Sequence, residues 1–295
     1  KGLLVKISET IDNATYNTQF TYDSYGRVIG ITYPGGFKVK QSYRSGYLYQ
    51  VTSNGGDTLY YTCNDMTPRG QVSSYQLGAN LTVTHTFDAN TGFLKQTVAG
   101  NIQDMRYEYD ALGNLTRRTN QKRGLSESFT YDGLNRLTSS TVYVNNIATQ
   151  VVRLQYNAIG NITFKSDVGT YQYEATRPHA VARIVNPQED YQPYDYNVEY
   201  TSFDKVYSIS NATQNVTFTY GTDYQRIKAV SVKEGQTTTK YYVGQLYEKE
   251  VLPGGEVKEN FYIFANGEAV AIYTRSTKAQ NTRLAYCLSD HLGSL

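Results

Sequence analysis

Three histidines, two cysteines and a recurring aspartate are the side chains of this sequence best suited to chemistry. His85, His179 and His291 stand 94 and 112 residues apart, which is neither the local spacing of a metal site nor a triad signature. Cys63 and Cys287 are equally distant, with no CxxC pair and no nearby His, so thiolate metal binding is not expected and a disulfide is left open. Asp290-His291 would suit an acid and base pair, but neighbours on a strand point to opposite faces, so a turn or packing role is expected. Asp23, Asp110 and Asp132 look like a row of acids. Each precedes a Gly or Asn by three residues, however, and that is where an Asx side chain accepts backbone N–H groups in a turn.

The elements positioning these residues come from an internal repeat. Tyr22-Asp23-Ser24-Tyr25-Gly26-Arg27-Val28 returns as Tyr109-Asp110-Ala111-Leu112-Gly113-Asn114-Leu115, as Tyr131-Asp132-Gly133-Leu134-Asn135-Arg136-Leu137, and as Tyr156-Asn157-Ala158-Ile159-Gly160-Asn161-Ile162. Weaker copies start at Phe87-Asp88, Phe203-Asp204 and Tyr220-Gly221. Starts at 87, 109, 131 and 156 lie 22, 22 and 25 residues apart, room for two strands and two turns. Asp at the first turn position and Gly three later predict a type I turn closed by a left-handed residue, the G1-bulge loop of a hairpin. Asn135 replaces Gly under the same constraint, since Asn tolerates that conformation. Arg27 and Arg136 are expected to reach carboxylates of neighbouring repeats as a ladder of ion pairs.

Flanking residues alternate as strands do: Phe20 and Tyr22, Tyr107 and Tyr109, Phe129 and Tyr131, Leu154 and Tyr156 on one face, with Thr, Gln, Arg and Ser on the other. No helical window of three turns stands out, while Tyr173 to Val185 reads as a connector and Pro187 to Tyr196 as a loop. The 295 residues include 30 Tyr and no Trp, a mixture that favours strands and turns. The formal charge of +2 is spread without a basic face, which argues against nucleic acid. No apolar run has the length of a membrane span or a signal sequence. The lack of an initial Met and the end at Leu295 suggest a piece of a longer polypeptide.

The YDSYGRV, YDALGNL and YDGLNRL strings resemble the defining repeat of the Rhs/YD-repeat family. Arg177-Pro178-His179-Ala180-Val181 resembles its "PHAV" element, Tyr241-Tyr242-Val243-Gly244 to Tyr262-Ile263-Phe264 the approach to the Rhs-associated core, and Asp290-His291-Leu292-Gly293-Ser294-Leu295 its DHLGS signature. The resemblance covers essentially the whole chain. It implies an all-β fold of tandem antiparallel hairpins in a spiralling sheet, part of a hollow shell, with repeats over 1–240 and the start of the core region over 241–295.

It further implies a secreted or surface-exposed bacterial protein whose shell encloses a C-terminal toxin or effector of the same polypeptide, with other shell or secretion components as further partners. In such proteins an autoprotease lies downstream of DHLGS; its catalytic aspartates have no counterpart here. This stretch is therefore expected to be a scaffold rather than an enzyme, with no catalytic, cofactor or metal residues. Its functional residues would be structural: Tyr22, Asp23, Gly26, Arg27, Tyr109, Asp110, Gly113, Tyr131, Asp132, Arg136, Tyr156, Asn157 and Gly160 in the repeats, and Asp290, His291 and Gly293 in the core signature. The competing reading is a cell-surface adhesion or carbohydrate-binding module, because tyrosine rings stack on sugars and their hydroxyls hydrogen-bond to them.

Overall fold

Period-two burial builds the strands: in Val257–Ala265 the buried positions are Phe261, Ile263 and Ala265, every second residue. The computed structural model describes residues 2–189 and 196–293. Among these, the helical content is two three-residue 3-10 turns, Pro34–Gly36 and Ala279–Asn281, and the rest is strand, turn or irregular connection. The all-β class of tandem antiparallel hairpins expected from the repeats is the one found. No helix of the described residues is long and apolar enough to cross a membrane.

The chain divides into two units. The first comprises Lys1–Asp65, Tyr75–Leu81 and Asp195–Leu295. In it an antiparallel run from Lys6–Ile11 through Ala14–Tyr22, Val28–Thr32, Lys38–Arg44 and Tyr47–Ser53 to Leu59–Met66 faces a nine-stranded sheet that runs in chain order from Asn197–Tyr200 to Arg283–Tyr286.

Aromatic rings fill the space between these sheets. Phe261 is fully buried, with ring centroids of Phe37, Tyr247, Tyr33 and Tyr273 at 4.7, 5.3, 6.0 and 6.0 Å. Such pairs add about 0.5–1.5 kcal/mol each beyond the area they bury. Phenols carry polar tips into this core, and three of them find partners across it: Tyr33 Oη donates to the Tyr262 carbonyl at 3.0 Å, Tyr286 Oη to the Leu59 carbonyl at 2.9 Å, and Tyr61 Oη accepts from Asn266 Nδ2 at 2.8 Å. Burial holds the Tyr33, Tyr61 and Tyr247 hydroxyls in their protonated form by pushing their pKa values upward.

The second unit comprises Met66–Ser74 and Thr82–Tyr194. Ten strands from Leu81–Phe87 to Val181–Val185 each pair antiparallel with the next in sequence. Few side chains here are fully buried, and Leu137–Val144 has none. Tyrosine suits such a sheet, with an apolar body for its neighbours and a hydroxyl for water or a carbonyl.

Two expectations are corrected. Tyr173 to Val185 is not a connector: Gly169–Tyr173 and Val181–Val185 pair as a hairpin whose loop is closed by Glu174 N–H on the Ala180 carbonyl at 3.0 Å. The weak copy placed at Phe203-Asp204 starts three residues earlier, at Tyr200, with Thr201 in the Asp position and Asp204 in the left-handed position at φ 60°. Most of the loop expected over Pro187 to Tyr196, namely 190–195, lies outside the described residues, as do Ser294 and Leu295 of the core signature.

Candidate functional site

The repeat turns share one construction. In the first, Asp23 N–H donates to the Arg27 carbonyl and Gly26 N–H to the Asp23 carbonyl, both at 3.0 Å, closing a five-residue loop. Gly26 sits at φ 80°, where a Cβ would be strained, and Asn135 takes the equivalent place at φ 59°. The Asp23 carboxylate fills the inside: Oδ1 accepts the N–H groups of Tyr25 and Arg27 at 2.9 and 3.0 Å. Asp110 does the same for Leu112 and Asn114, Asp132 for Leu134 and Arg136, and Asn157 for Ile159 and Asn161. The register of each hairpin shifts just before the motif tyrosine, at Tyr22, Tyr109, Tyr131 and Tyr156, as a bulge requires.

These bonds also decide what the acids can do. Hydrogen bonds from the Arg27 and Arg136 backbones, together with their guanidinium groups, hold Asp23 and Asp132 below the usual carboxylate range. The Asn114 side chain does this for Asp110. An acid so engaged is ionised at neutral pH and its lone pairs are already committed, which suits a staple and not a proton shuttle. Among the described residues no three His, Cys, Asp or Glu side chains come together as a metal site.

The arginines depart from expectation. Arg27 Nε donates to Asp23 Oδ2 and Arg136 Nε to Asp132 Oδ2, each at 2.7 Å, inside their own turns. A turn on the same edge is two strands away, about 10 Å, so the home carboxylate is the nearer. What reaches the neighbour is the guanidinium face: Arg27 lies 4.5 Å from the Tyr43 ring centroid and Arg136 4.7 Å from that of Tyr156, with Arg136 also donating to the Asn157 carbonyl at 3.2 Å.

A tyrosine ladder completes the coupling. Tyr131 Oη donates to the Leu115 carbonyl, Tyr156 to Leu137 and Tyr173 to Ile162, all at 2.7 Å. In unit 1, Tyr22 donates to Leu4, Tyr43 to Val28 and Tyr220 to Val206 at 2.6, 2.9 and 2.7 Å. In each of these except Tyr22 to Leu4 the acceptor lies two residues after the left-handed residue of the preceding turn.

The remaining candidates are structural in their contacts. His179 Nδ1 is 2.7 Å from Asn161 Oδ1, and Asn161 Nδ2 donates to the Pro178 carbonyl at 2.6 Å, so the PHAV-like loop is fastened to the preceding repeat turn. His85 lies edge-on to Phe87 at 5.9 Å. Cys63 and Cys287 are free thiols, the latter pushed up in pKa by burial. Asp290 and His291 lie in a turn, not on a strand: Asp290 Oδ1 accepts Leu292 N–H at 2.9 Å, its carbonyl accepts Gly293 N–H at 3.0 Å, and Gly293 has φ 81°. The segment 290–293 thus repeats the motif's Asx turn.

Sequence reasoning missed the same five-residue loop at Tyr33–Phe37, Thr67–Gln71 and Leu252–Glu256. The available signal was Pro followed by Gly at the tip, in Pro34-Gly35-Gly36, Pro68-Arg69-Gly70 and Pro253-Gly254-Gly255.

Against known proteins, the family description "RHS Repeat" matches residues 109–146, which span the turns at Asp110 and Asp132. Residues 109–146 are an RHS repeat. No curated protein matches this chain by sequence. Among solved structures it is similar to TcdB2-TccC3-Cdc42 at TM-score 0.76 and 16% identity, and to TcdB2-TccC3 at 0.75 and 15%, each over 95% of this chain. It is also similar to a Photorhabdus luminescens Tc holotoxin pore at 0.74 and 15%, again over 95%. The chain spans 17% of the length of each of those chains. Its fold is that of the Tc toxin β-shell.

Proposed function

We propose that this RHS chain is a length of shell wall in a secreted or surface-exposed bacterial protein, and that the wall encloses a C-terminal toxin or effector of the same polypeptide. The observation that carries this reading is the coincidence of fold over 95% of the chain with chains of TcdB2-TccC3 complexes. One such complex is described as lacking a hypervariable C-terminal region. The turn geometry supports it: the motif carboxylates are spent on closing their own turns, and the arginine faces and phenols on joining each hairpin to its neighbour. Residues 1–240 would be the repeats and 241–295 the approach to the core region, and the action of the wall is steric, without catalysis.

The test is an electron-microscopy map of the natural polypeptide containing residues 1–295. A closed shell with density inside supports enclosure; an open, solvent-filled spiral overturns it. The second reading, adhesion to glycans, is favoured by tyrosines exposed on the surface, Tyr25 at 83% and Tyr47 and Tyr224 at 55% each. Glycan-array binding that is lost when these three become Ser would establish that reading in place of the first.

A further inference from the structure

Within unit 1 the edge strand Lys6–Ile11 meets the turn 221–225 of the nine-stranded sheet. Glu9 and Asp223 both line the cavity left there, together with Ile7, Tyr220, Arg226 and Tyr242. One turn of chain further on, the same two sheets are joined by an attractive contact: Asp12 takes an ion pair from Lys228 Nζ and a 3.1 Å hydrogen bond from Tyr241 Oη. The two pairings oppose each other. Asp12 draws the sheets together, whereas two carboxylates facing one half-enclosed space push them apart when both are ionised.

The charged and titratable groups around Glu9 are few. Its own hairpin places Tyr16 directly across from it, with Lys6 at the strand's exposed start. The opposing sheet presents Asp223 in the turn, Arg226 on the next strand with its guanidinium 4.0 Å from the centroid of the Phe218 ring, and Tyr242 behind. Lys228 is committed to Asp12. Gly244 closes the cavity, and a Cβ there would stand 3.9 Å from Glu9 Oε1. Burial, then Asp223, pushes the Glu9 carboxyl up, in keeping with this layout.

We infer that Glu9 and Asp223, facing one cavity, form an acid-closed latch between the two sheets of unit 1, loosened when both carboxylates are ionised and closed when Glu9 takes up a proton. The sign follows from linkage. A carboxyl raised in the folded state costs stability above that raised value, and the cost vanishes as pH falls through it. Each tenfold change in Glu9 acidity between open and closed forms converts to about a tenfold change in the closed-to-open ratio.

The experiment compares amide exchange of the natural polypeptide with its Glu9→Gln and Asp223→Asn variants, each pair at the same pH. At pH 8 the E9Q variant should slow exchange across 6–11 and 221–225 relative to the parent and leave 125–156 unchanged. At pH 4 the difference should disappear, and in a D223N background the E9Q effect at pH 8 should shrink to the part that burial of Glu9 alone contributes. Faster exchange in E9Q at pH 8, a difference that does not depend on pH, or an E9Q effect of undiminished size without Asp223 would each overturn the latch. Folding of both variants is checked independently by the unchanged exchange of 125–156.

Discussion

The Tyr131 hydroxyl donates a 2.7 Å hydrogen bond to the carbonyl of Leu115, a residue of the preceding repeat. A hairpin in a thin sheet cannot bury its own apolar face, so bonds of this kind and strand pairing fix each unit to the one before it. Replacing Tyr131 by Phe keeps the ring and removes the donor. Chemical denaturation should show a loss of about 0.5–1.5 kcal/mol with an unchanged denaturant slope. No loss would mean that the ladder only accompanies the pairing.

Asp23, Asp110 and Asp132 are depressed below their ordinary value of 3.8, so the stability they contribute is complete above that value and disappears as pH falls through the depressed range. Thermal midpoints measured from about pH 5 to pH 2 should fall, and they should fall less in a D110N/D132N variant. Asn157, which builds the same turn with an amide, indicates that the variant still folds.

Asn135 holds φ 59° and accepts a 3.0 Å hydrogen bond from Asn114 Nδ2. Asn135→Ala should cost about 1–2 kcal/mol, because a Cβ without a compensating polar group is strained there. Asn135→Gly should stay within about 0.5 kcal/mol of the parent in the same denaturation assay, its relief of strain offsetting the lost amide contact.

Phe261→Ala empties the centre of the aromatic cluster in unit 1 and should cost about 3–5 kcal/mol. Hydrogen exchange should rise in the Val257–Ala265 and Lys38–Arg44 strands, while unit 2 strands such as Leu125–Tyr131 keep their protection.

The turns were legible because two local constraints, a side-chain acceptor first and a left-handed residue three later, leave a mark in residue type. Where Thr201 and Asp204 satisfy the same constraints with other residues the start was misplaced, and the Pro-Gly loops were missed because Tyr33 and Leu252 supply no side-chain acceptor and Thr67 supplies it as a hydroxyl. The direction of Arg27 and Arg136 was not legible, since a long side chain reaches its own turn as easily as the next. The meeting of Tyr33 with Phe261 left no mark either: alternation tells which face of a strand is apolar, not which distant strand will cover it.

In unit 2 the motif turns 110–114, 132–136 and 157–161 all close in one form, while the reverse turns, around 121–124, 145–146 and 167–168, differ. The tyrosine bonds span 16, 19 and 11 residues and still have the same length. The sheet is therefore justified along one margin and ragged along the other. A hairpin duplicated, deleted or lengthened at the ragged side leaves the aligned margin intact, so such a sheet can change its extent by whole lines of text without rewriting its neighbours.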